Sequence, residues 1–311
     1  MAKRLFSCIF IVTIALGLLS SCGFQGQGED GRISVVTTIF APYDFARAVA
    51  GDLAEVTMLL PPAGESHSFE PTPQDIVKIR RCDVFVYVGG ESDAWVERIL
   101  AAMDTSGIQV VTLMDCVELV EEEIKEGMEG EAEGEPDEHV WTSPRNAGLI
   151  TRKISEAMCA TDPENAGAYR ANTEAYLAKL DALDREFRDV VDQGVRRTIA
   201  FGDRFPFRYF ADAYGLEYCA AFPGCSTETE ASAKTVVTLI ERIKAEGIPV
   251  VFHAELSNEN MARAIGRATG AKVLRLHACH NISRADFEAG RTYLDLMGEN
   301  LEALREALAS P

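Results

Sequence analysis

Two runs of alternating strand and helix signals, separated by one long helical stretch, constrain this chain more than any other feature. In the first run, "RISVVTTI" (32–39), "AEVTMLL" (54–60), "DVFVYVG" (83–89) and "IQVVTL" (108–113) are short, β-branched and apolar. Between them lie helix-period segments, of which 70–81 starts most clearly. Thr72 can cap it, Pro73 takes the first helical position and Asp75 falls in the first turn. The second run repeats the pattern with strands at 197–202, 216–221, 249–254 and 271–278. Strands that alternate with helices predict parallel sheets covered on both faces.

The stretch between the runs places Tyr169, Tyr176, Leu177, Leu180, Leu183, Phe187 and Val190 at helical spacing. Its apolar seam is too short and single for a coiled coil, so it predicts one long helix joining two α/β lobes. The expected organisation is an N-terminal lobe over 32–162, a linking helix over 163–195 and a C-terminal lobe over 196–311. Each lobe carries a parallel four-stranded sheet. The length of 311 residues exceeds one typical core and agrees with two.

The start of the chain predicts export. A basic "MAKR" is followed by an apolar run and by "LSSC", ending at Cys22, which is the pattern of a secretory signal over 1–21. The cysteine after Leu-Ser-Ser resembles a bacterial lipobox, which implies acylation of Cys22, a tether over 22–31 and a lipid-anchored, extracytoplasmic protein. The net charge of −19 is the wrong sign for nucleic acid. Residues 121–138 hold ten acidic side chains against one lysine, so a disordered loop is expected within 118–138. A spacer is the plain reading of that loop; weak gathering of cations is the sharper one.

Ligands of open parallel sheets sit beyond the carboxyl ends of the strands. Four metal-competent residues fall there: His67 after the second strand, His139 after the acidic loop, Asp203 after the first strand of the second half, and His277 at its last strand. Two come from each half, as a cleft requires. Three imidazoles and a carboxylate suit Zn²⁺, whereas Mn²⁺ prefers more oxygen. No short spacing motif links the four. His253 alternates into the core of its strand. Glu65 and Glu70 flank His67 and read as a solvated loop carboxylate and a helix-start carboxylate.

The stretches "GESHSFEPTPQDI", "DEHVWTSPRNA", "FPFRYFADAYGL" and "TYLDLMGENLEAL" resemble the zinc- and manganese-binding solute-binding lipoproteins of bacterial ABC transporters. The resemblance runs from about 32 to 308. It implies two (β/α) lobes bridged by a rigid helix, one metal in the cleft, and delivery to a membrane permease by a monomeric protein. In that family the third ligand is usually a His at or just before the position of Asp203, and the fourth is Asp or Glu where this chain has His277. If both are ligands here, the two types have exchanged places. His280 is the rival for the fourth place. A glutamate matching Glu255 is common in the family, and its expected role here is to orient a ligand histidine.

Cysteines leave one further expectation. Cys225 and Cys279 both follow strands of the second lobe at its cleft end, so a disulfide between them is expected, with a Cys279 thiolate on zinc as the alternative. Among functions, capture of Zn²⁺ for an importer leads. A zinc hydrolase would need an open coordination position and a general base, and no HExxH motif is present. A surface adhesin has no motif of its own to argue from.

Overall fold

A computed structural model describes residues 31–65, 69–128, 134–224 and 231–309. The signal and anchor region with Cys22, the residue His67 and the residue Cys225 lie outside the described residues. The first lobe contains β1 (Ile33–Thr37), α1 (Phe40–Ala50), β2 (Ala54–Met58), α2 (Pro73–Arg81), β3 (Val84–Tyr87), α3 (Ala94–Ala101) and β4 (Gln109–Thr112), followed by α4 (Pro144–Thr161). Then comes the long helix α5 (Ala166–Gln193). The second lobe runs through β5 (Thr198–Phe201), β6 (Arg204–Phe205), α6 (Arg208–Tyr214), β7 (Glu217–Cys219), β8 (Phe222–Pro223), α7 (Ala233–Glu246), β9 (Val250–His253), α8 (Asn260–Thr269), β10 (Lys272–Arg275), α9 (Arg284–Glu288) and α10 (Tyr293–Ala309).

Each lobe has an all-parallel four-stranded sheet, in the orders β2-β1-β3-β4 and β10-β9-β5-β7. Strands β6 and β8 add a short parallel pair at the end of the second sheet. β3 and β9 are buried at every position, as strands covered on both faces must be. Helix α2 starts as its sequence dictates: the Thr72 hydroxyl accepts from the Asp75 N–H while the Asp75 carboxylate accepts from the Thr72 N–H.

Helix α5 ties the lobes together by burial. It turns Tyr169, Tyr176, Leu177, Leu180, Leu183, Phe187 and Val190 inward, packing on α1 and α4 of the first lobe and on α6 and α10 of the second. The rings interlock across this junction, with Phe45 edge-on to Tyr293 at 5.0 Å and Phe187 edge-on to Phe210 at 4.9 Å. Each such side chain contributes roughly 1.5–3 kcal/mol by leaving water. One continuous core therefore spans both lobes.

The acidic segment differs from expectation. Its described flanks form a strap, joined by an antiparallel bridge between Glu121 and Pro136 and by the Glu122 N–H donating to the Glu135 carbonyl. The strap lies on the second lobe. The Tyr209 hydroxyl accepts from the Val120 N–H, Glu123 faces Arg208 at 3.9 Å, and Lys125 sits over the Tyr218 ring. Basic and aromatic groups far away in sequence supply the partners that the segment lacks by itself.

Asp44 of α1 is buried at the lobe junction, accepting from the Tyr293 N–H at 2.9 Å and the Tyr176 hydroxyl at 3.3 Å. Burial outweighs both hydrogen bonds and pushes its carboxyl up to about 6. A folded pKa above the unfolded one means that the folded state holds the proton more tightly. Its contribution is thus complete below about pH 4 and is lost as pH rises through about 6. Asp44→Asn, whose amide can still accept the Tyr293 N–H, should gain on the order of 2 kcal/mol relative to wild type between pH 4 and pH 7. Urea unfolding at the two pH values measures this.

Candidate metal centre

The cleft between the lobes closes on a cavity of about 60 Å³, lined by Gly64, Glu65 and His139 from the first lobe and by Arg204, Glu255 and His280 among others from the second. Its volume is on the order of two waters at ~30 Å³ each, which is room for an ion. A larger open hollow of about 660 Å³ lies between α2 and α3, but no histidine lines it.

His139 is held from below by its own strap. The Asp137 carboxylate accepts from the His139 N–H at 2.8 Å and meets Nδ1 of its ring at 3.2 Å. This pairing favours the tautomer with the proton on Nδ1 and a lone pair on Nε2, the arrangement of a metal-binding imidazole backed by a carboxylate. Burial by itself would lower the imidazole pKa; the Asp137 charge and hydrogen bond overcome it and the pKa is raised. Asp137 Oδ2 is buried without a hydrogen-bond partner among the described residues. Gly224 packs against this ring, and a Cβ there would come within 3.1 Å of His139 Cε1 and Nδ1 and 2.9 Å of the Phe205 carbonyl oxygen. Only a residue without a side chain lets the second lobe approach so closely.

The second imidazole of the cleft is His280. Its ring meets His139 edge-on at 5.3 Å and Trp141 edge-on at 5.0 Å. The loop that carries it is fixed from several sides. The two oxygens of Glu255 accept from the Ala278 N–H at 2.6 Å and the His280 N–H at 2.9 Å. Trp141 Nε1 donates to the Ala278 carbonyl at 2.7 Å, and the Asn281 amide donates to the Pro61 and Gly64 carbonyls. Glu255 therefore orients a histidine of the cleft, through the backbone of its loop.

His277 is placed differently from expectation. Strand β10 stops at Arg275, and His277 then turns inward instead of closing the strand at the cleft. Its backbone is locked by Asn300, which accepts the His277 N–H and donates to the His277 carbonyl. Its Nδ1 accepts the Cys279 N–H at 2.9 Å, and burial lowers its pKa. It does not line the cavity. Asp203 is displaced in the same way: its oxygens accept from the Arg204 and Ala254 N–H groups, while the next side chain, Arg204, enters the cleft.

The expected bridge to Cys279 needs correction as well. Cys279 is a free, fully buried thiol, as are Cys82 and Cys219, while Cys116 and Cys159 are free and partly buried. It sits in a left-handed turn with φ +58°, which turns its side chain into the core shared by Tyr176 and Tyr293. Burial pushes the thiol well above its ordinary pKa, and Cys279 does not line the cavity. His253 is buried beside the Ala254 carbonyl, as its strand alternation predicts. Among the described residues, no three His, Cys, Asp or Glu side chains converge as a ready-made metal cage. His67 lies outside them, two residues along the sequence from Glu65, which borders the cavity.

Residues 35–307 match the family described as "ZnuA: Zinc-uptake complex component A periplasmic". The chain is 30% identical over 304 residues to the zinc-binding lipoprotein AdcA of Streptococcus pneumoniae serotype 4, covering 96% of this chain and 60% of that protein. It is 29% identical to the high-affinity zinc uptake system protein ZnuA of Bacillus subtilis, over 97% of this chain and 98% of that one. The chain thus spans about three fifths of the streptococcal relative and nearly all of the other. The crystal structure of the Zn(II)-bound ZnuA-like domain of S. pneumoniae AdcA is similar with TM-score 0.77 at 28% identity, covering 90% of this chain and all of that domain.

The brace on the His280 loop can be tested without metal. Glu255→Gln puts an amide NH₂ against one of the two backbone N–H groups, leaving it without an acceptor. The expected cost is about 1–3 kcal/mol, with faster hydrogen exchange at the Ala278 and His280 amides. Unchanged exchange at both would show that the carboxylate does not hold the loop.

Proposed function

The chain belongs to the ZnuA family of zinc-uptake components, and from that premise we propose that it captures Zn²⁺ outside the cytoplasm and delivers it to the permease of an ABC importer. The observation that carries this reading is the pair of imidazoles, His139 from one lobe and His280 from the other, meeting edge-on at 5.3 Å in an ion-sized cavity. His67 is the third ligand of the proposed site, supported by its place in the sequence two residues beyond Glu65, which lines the same cavity. Imidazole ligands favour Zn²⁺ over the oxygen-seeking Mn²⁺.

Around that site the protein's own residues divide the work. Asp137 sets the His139 tautomer. Glu255 and Trp141 hold the His280 loop at fixed depth. The shared core around α5 limits how far the lobes part, so capture proceeds by local movement of side chains at the cleft mouth instead of wide opening. The proposed setting is a monomer anchored at acylated Cys22, supported by the signal-like start of the chain and by the lipoprotein name of its streptococcal relative. The family's zinc-uptake description supports a carrier role over a hydrolase.

Calorimetric titration of metal-free protein with Zn²⁺ should show one tight equivalent, and zinc should raise the melting temperature by mass action. His139→Ala and His280→Ala should each weaken binding by a factor of about 100 or more, since each removes a ligand and leaves a gap. His277→Ala should leave affinity within a few-fold of wild type. Tight binding that survives both cleft substitutions and is lost with His277 would reverse this assignment.

A further inference from the structure

Arg204 and Glu65 face each other across the cleft mouth, with a guanidinium nitrogen 3.6 Å from a carboxylate oxygen, one from each lobe. Both line the cavity that holds His139 and His280. An arginine in a cation-binding cavity is an obstacle: its charge cannot be shed by deprotonation at any ordinary pH. It repels an incoming dication unless it is moved or neutralised. The carboxylates around it are not equivalent. Both oxygens of Glu255 hold backbone N–H groups of the His280 loop, and those of Asp203 hold the Arg204 and Ala254 N–H groups. Glu65 is the cavity-lining carboxylate that faces a side-chain charge, the part-exposed guanidinium of Arg204.

Resting on the zinc-capture reading, we propose that Glu65 is a metal-binding carboxylate of the cleft and that Arg204 stands in for the ion while the site is empty. Loading exchanges one ion pair for another. The Glu65 carboxylate leaves the guanidinium for the metal, and Arg204 turns toward solvent, which it already reaches with about a quarter of its side chain exposed. An imidazole binds a metal through an uncharged nitrogen, so Glu65 supplies the negative charge that a dication in this cavity requires. Arg204 thereby sets the affinity downward by competing for that carboxylate, which eases release of the ion to a permease.

The test is a two-residue cycle read by zinc titration in the presence of a competing chelator. Circular dichroism of the metal-free proteins confirms that each variant folds. Glu65→Gln is expected to weaken binding at least tenfold and Arg204→Gln to strengthen it several-fold. In the Glu65→Gln background, Arg204→Gln should gain little, because the carboxylate for which it competes is gone. Cobalt-loaded Glu65→Gln should also show an altered visible d–d spectrum, which a remote structural role would not cause. If wild type binds one zinc but Glu65→Gln binds as tightly, or if the Arg204 gain persists in full without Glu65, the inference falls while zinc capture stands. Failure of wild type to bind zinc at all would instead overturn the function itself.

Discussion

The Glu255 carboxylate, receiving the Ala278 and His280 N–H groups, is the interaction on which the site depends. Beyond β10 the chain has no ladder to hold it, yet it must carry an imidazole to within 5.3 Å of one from the other lobe. A buried carboxylate that accepts two backbone donors is a strong and short anchor. Trp141 and Asn281 extend the same anchoring to the first lobe. The loop over 276–283 is therefore as much a part of the lobe junction as of the second lobe, and positioning its histidine and joining the lobes are one structural task.

That junction explains why the cleft is small. A core that runs through α5 without interruption resists hinge opening, since separating the lobes would expose Phe45, Phe187 and Tyr293. What remains free to adjust are side chains at the cleft mouth, where Glu65 and Arg204 reach solvent. Electrostatics add to this. The chain as a whole is strongly acidic and draws cations toward it, while Arg204 places one opposing charge at the cleft itself.

Much of this architecture was legible in the sequence, because burial imposes periods. The β-branched runs became the two parallel sheets, and each residue of the long helical seam named from spacing faces the core. The "DEHVW" stretch delivered His139 to the cleft together with the aspartate that orients it. The differences between expected and observed side-chain directions share one cause: beyond a strand end no period governs direction. His277 and His280 differ by three residues, and a left-handed turn at Cys279 decides which reaches the cavity. Asp203 and Arg204 differ by one, and one step along extended chain reverses the side on which a side chain emerges. The contacts of the acidic segment's described flanks are not legible locally because their counter-charges, such as Arg208, lie some eighty residues away.

Anomalous diffraction at the zinc edge from zinc-loaded crystals tests the central assignment most directly. The peak is expected in the cleft, within about 2.0–2.1 Å of nitrogens of both His139 and His280. A peak bonded to His277, or one lying among the carboxylates of the acidic strap with the cleft histidines unbound, would contradict it.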